Sequence, residues 1–73
     1  MNVKIEKIIK IIKSFIELSS ENGDLSHYHA LSLEMKWGYI KAMQDHLRVK
    51  LNSEEETQVF ECLESFKNNE NNN

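Results

Sequence analysis

The chain contains no proline, one cysteine, two glycines and a single arginine among its 73 residues. Each scarcity excludes something. With Cys62 alone no intrachain disulfide can form, so covalent bracing of a small core is ruled out. Without proline, helices must end through capping residues and turns. No apolar run reaches the roughly 18 residues of a membrane span. The opening "MNVKIEKIIK" alternates lysine with isoleucine in place of an apolar signal core, so the expected location is the cytoplasm. A net charge of −3 argues against sequence-independent nucleic-acid binding, which requires a basic surface. Glycine-rich phosphate loops and CxxC or HxxxH spacings are absent. No cofactor, metal or catalytic group is therefore expected.

What is present is helical periodicity. In the first segment Ile5, Ile8, Ile9, Ile12, Phe15 and Ile16 repeat at i, i+3, i+4 and i+7. Ile11 and Leu18 widen that stripe on one side. The polar stretch "SSENGDLS" ends the segment with a turn glycine, Gly23, and offers Asp24 or Ser26 as the next N-cap. A second helix is expected from about Leu25 to about Lys50. A third starts at "NSEEE", where Ser53 and Glu56 have capping-box spacing, and it aligns Val59, Phe60, Leu63 and Phe66 with Cys62 at the margin.

The reading is an all-α protein: a small three-helix antiparallel bundle over residues 1–67, with a disordered polar tail over 68–73. A chain this short buries only about 60% of the surface its unfolded form exposes, so self-association would add stability. The charge distribution is uneven as well. Lys4, Lys7, Lys10 and Lys13 crowd the first segment, and Glu54, Glu55, Glu56, Glu61, Glu64 and Glu70 the last. Opposed ends of this kind attract within one molecule or between two copies.

The second helix carries more apolar surface than two neighbours can cover. One stripe holds Leu33, Trp37, Ile40, Met43, Leu47 and Leu51. A second holds Leu31, Met35, Gly38, Ala42 and Val49, roughly 140–180° further round at 100° per residue. Tyr28, Tyr39 and His46 lie between. An amphipathic surface helix needs only a little over 100° of apolar arc. Gly38 admits three readings: a tolerated mid-helix glycine, a break that makes four helices, or a point of close helix–helix approach.

Function is expected to lie in contact with another protein. The expected class is a non-enzymatic regulator, inhibitor or immunity-type factor, also forming a homodimer. The candidate contact residues are Tyr28, Leu31, Met35, Gly38, Tyr39, Ala42 and Val49, with the two tyrosines as aromatic anchors. A nucleic-acid regulator or a membrane-surface module using the basic first helix are weaker alternatives. His27 and His29 point about 200° apart if helical and cannot share a metal there. Neither His46 nor Cys62 has a partner in sequence that would make it reactive.

Overall fold

The computed structural model describes the backbone of residues 3–71 and the side chains of residues 3–66. Among the described residues it contains four helices and no strand. These are α1 (Val3–Ser19), α2 (Ser26–His29), α3 (Leu33–Leu47) and α4 (Ser53–Asn71). The expected disordered tail over 68–73 falls where side chains lie outside the described residues.

The all-helical class stands, and the expected second helix is two. The break is not at Gly38, which lies inside α3. It falls at Ala30–Ser32, where Ser32 adopts an extended conformation (φ −65°, ψ 161°) and its hydroxyl accepts the Met35 backbone N–H. That N-cap satisfies one of the donors a helix start leaves open, so α3 begins afresh there. Ahead of it, α2 is one turn. The Asp24 carboxylate accepts the backbone N–H and the hydroxyl of Ser26 at 3.1 and 2.7 Å, which folds the entry to that turn and holds the Asp24 carboxyl below its usual range. Gly23 occupies positive φ (71°) in the preceding turn, as a turn glycine should.

The other end of α3 is set by Arg48, at φ 57°, ψ 41°. Its N–H donates to the Asp45 carbonyl and the Val49 N–H to the Gln44 carbonyl, the paired bonds of a Schellman motif. The α4 cap sits one residue earlier than the Ser53–Glu56 spacing implied. Asn52 accepts the Glu55 N–H at 2.8 Å, and the Glu55 carboxylate accepts the Asn52 N–H at 3.0 Å. This reciprocal pair is a capping box with asparagine as the cap.

Helix α4 is the hub of the molecule. α1, α2 and α3 all pack on it, whereas α1 and α3 approach one another less closely. The core comprises Ile5, Ile8, Ile9, Ile12 and Ile16 of α1, Leu25, Tyr28, Ile40, Met43, Leu51, and Val59 and Leu63 of α4. Trp37 stacks on Phe60, with centroids 4.7 Å apart and planes at 9°. Two stripe residues are displaced from their expected places. Phe15 is 43% exposed at the margin of the core, and Leu33, at the first position of α3, is 62% exposed. Lys36 and Gln44 are buried in their stead, on the same face of α3 as Ile40.

Candidate functional site

A groove opens between α1, α2 and the first half of α3, with no α4 residue in its lining. Its volume is about 410 Å³, and its walls include Phe15, Ile16, Tyr28, Leu31, Met35 and Tyr39. Phe15 forms the ridge. Its ring lies 6.4 Å from the Tyr39 ring and 6.1 Å from His46. On its far side Phe15 also borders a shallow hollow with Lys10, Ile11, Ser14 and Leu18. The two depressions therefore form one continuous apolar face across α1 and α3.

Exposure marks this face out. Leu18 is 87% exposed, Met35 58% and Ile11 47%. The periodicity of α1 explains why. At 100° per residue Ile11, Phe15 and Leu18 fall on one side of the helix, next to the edge of the core stripe set by Ile8. α1 is thus apolar on two adjacent faces, of which α4 and the core cover one.

The seven expected contact residues separate into three groups. Leu31, Met35 and Tyr39 line the groove, together with Tyr28. Tyr28 does so as floor, not as a projecting anchor, since it is only 1% exposed. Gly38 and Ala42 are exposed on α3 beyond the groove lining, and a Cβ added at Gly38 would meet nothing within 4 Å. Val49 lies past the α3 cap and lines a different hollow with Lys41, Gln44 and Leu51. Sequence reasoning missed the α1 half of the face. The signal was present in the two residues that widened the first stripe, Ile11 and Leu18.

A polar cluster lies beneath the groove. The Lys36 ammonium sits 3.0 and 3.2 Å from the two Glu64 carboxylate oxygens and 5.5 Å above the Tyr28 ring. His29, with a side chain 7% exposed, places Nδ1 3.8 Å from Glu64 Oε2. Burial, with Glu64 nearby, pushes the Tyr28 hydroxyl well above its ordinary range, so it is a neutral donor at any physiological pH. It has no hydrogen-bond partner among the described residues. Burial raises the Tyr39 hydroxyl too. This cluster ties α2 and α3 to α4.

The remaining candidate groups are scattered. His27 borders the groove, His46 abuts Phe15, and Cys62 is half-buried beside Ile9, Lys10 and Phe66 on the opposite side of α1. Among the described residues no group of three or more His, Cys, Asp or Glu side chains can hold a metal ion. Nor is any helix of the described residues long and apolar enough to cross a membrane. What the described residues define is a small helical protein with an open apolar face. Comparison with known proteins adds no relative: no family model, curated protein or solved structure matches the chain.

Proposed function

We propose that this chain is a non-enzymatic protein that acts by binding another protein through the α1–α3 face, in the manner of a regulator or inhibitor. The observation that carries the reading is the exposure of Ile11, Phe15, Leu18 and Met35 around two depressions that share Phe15. Scattered exposed apolar residues are ordinary, but a contiguous set on so small a molecule is the mark of an interaction surface. Leu18 illustrates the cost. A leucine left in water forgoes about 1.5–3 kcal/mol that burial would give, and a partner recovers it. Homodimerisation is a second form of the same reading, in which the partner is another copy of the chain.

Site-specific photo-crosslinking in the native cell tests this. A benzophenone side chain in place of Leu18 or Met35 should yield discrete protein adducts, whereas the same group at Asp45, exposed on another face of α3, should not. Adducts of twice the chain's mass would identify the homodimer. Equal or absent labelling at all three positions would sink the reading.

A further inference from the structure

The charges around the face restrict what can dock there. Four lysines lie on α1, and two have carboxylates within reach. Lys4 lies 3.9 Å from Glu55 and Lys13 2.7 Å from Glu17. Lys7 and Lys10 are exposed and, among the described residues, have no ion-pair partner. On the helical wheel both fall on the outer flank of the Ile11–Leu18 row, within about 100° of it. His27 stands at the groove itself, and His46 beside Phe15. Neither depression of the face has a carboxylate in its lining. The apolar face is thus flanked by lysines, Lys10 sharing its other side with Glu6, on a chain whose net charge is −3.

Shape limits the occupant too. Ile11 to Leu18 span seven residues, about 10 Å or two helical turns. A row of that length beside a groove suits an incoming helix that offers apolar anchors at i, i+3, i+4 and i+7.

We infer that the occupant is an acidic amphipathic helix of another protein, an inference that rests on the protein-binding reading above. Its apolar side would fill the groove between Phe15, Leu31 and Met35, and its flanking carboxylates would meet Lys7 and Lys10. A second copy of this chain fits less well. A two-fold contact through this face would bring up a second lining that likewise holds no carboxylate to meet Lys7 and Lys10. The carboxylates of Glu55, Glu56 and Glu64 on α4 are already engaged by Lys4, Lys41 and Lys36.

A display library of helix-forming peptides, with Leu and Phe fixed at i, i+3, i+4 and i+7 and random flanks, tests this against the folded protein. Selected peptides should be enriched in Asp and Glu. Their binding should weaken about tenfold in the Lys7→Gln/Lys10→Gln variant and again on raising salt from 50 to 300 mM. It should be lost in Leu18→Ser/Met35→Ser. All four substituted positions are exposed, and circular dichroism would verify that each variant keeps its helices. Selected peptides with neutral or basic flanks would overturn the acidic partner and leave the protein-binding reading standing. If no selected peptide depends on Leu18 and Met35, both fall. Vesicles of phosphatidylcholine with phosphatidylserine, run in parallel, supply the last arm: binding to them with no peptide selected would make the face a membrane contact and overturn both.

Discussion

Gly38 lies in mid-helix with an unremarkable backbone and open space where a Cβ would be. Its cost is therefore that of glycine in a helix interior, about 1 kcal/mol relative to alanine. Gly38→Ala should stabilise the fold by about that amount and raise the melting temperature by roughly 4–8 °C, the scale for a domain of this size. Thermal denaturation followed by circular dichroism checks it, and a fall in melting temperature would show that a neighbour limits the site after all. Arg48 presents the opposite case. It holds a left-handed conformation at a helix end, which costs a non-glycine residue roughly 1 kcal/mol. Arg48→Gly should therefore raise stability by up to about 1 kcal/mol, less what the greater freedom of glycine in the unfolded chain takes back. Urea titration would read it. These two residues also show what the sequence can convey. A glycine announces itself wherever it stands, but nothing in the letters says that the packing of this chain leaves room for a side chain at Gly38 while Arg48 occupies a glycine's usual place.

At the scale of helices, apolar spacing located α1 and α4 and the buried face of α3, because the 3.6-residue period survives any local detail. The boundary between α2 and α3 was harder to read. Tyr28, Leu31 and Met35 continue the apolar pattern across Ser32 at i, i+3 and i+7, so period alone runs through the break. The capping hydroxyl of Ser32, followed by Glu34 in the first turn, was the competing signal. The connection from α3 to α4 is also held by polar groups that periodicity cannot place. Buried Gln44 accepts the Leu51 N–H at 3.0 Å, and its amide donates to Glu56 at 2.6 Å. That donation, with a smaller contribution from Lys41, keeps the Glu56 carboxyl below its ordinary range. A carboxyl lowered on folding stabilises the protein above its unfolded pKa, and the contribution is lost as pH falls through the folded value. Gln44→Leu should cost about 1–3 kcal/mol by leaving the buried Leu51 N–H without an acceptor. It should also let the Glu56 titration move back up. An NMR titration of the Glu56 side chain, alongside urea unfolding at pH 7 and pH 3, would test both halves. An unmoved Glu56 would mean that Lys41 suffices.

Over the whole molecule, the division of labour among helices follows from one choice, the placement of α4 at the centre. Its carboxylates meet lysines on both α1 and α3. The charge asymmetry visible in the sequence is thus resolved only in part within one chain, since Lys7 and Lys10 have no ion-pair partner among the described residues. The apolar face was half legible for the same reason. Met35, Leu31 and Tyr39 stood out on an over-apolar helix, but their alignment with Ile11, Phe15 and Leu18 depends on α1 and α3 flanking α4 and leaving their own seam open. The Lys36–Glu64 pair anchors that arrangement, joining α3 to α4 with one partner nearly buried and the other half-exposed. Removing only the carboxylate strands a buried ammonium, so Glu64→Gln should cost about 1–3 kcal/mol, below the range for fully buried pairs because Glu64 retains solvent contact. Replacing both charges, in Lys36→Met/Glu64→Leu, removes the desolvation cost with the attraction and should come close to wild-type stability. A double-mutant cycle in urea separates the two. If the double variant is as unstable as the single, the pair contributes net energy and not merely register. If it recovers, the pair's value is that it fixes how α3 lies on α4, and with that how wide the groove stands beside α1. Solvent accessibility at Met35, read by oxidation rate, should then rise or fall in the double variant even though its stability does not.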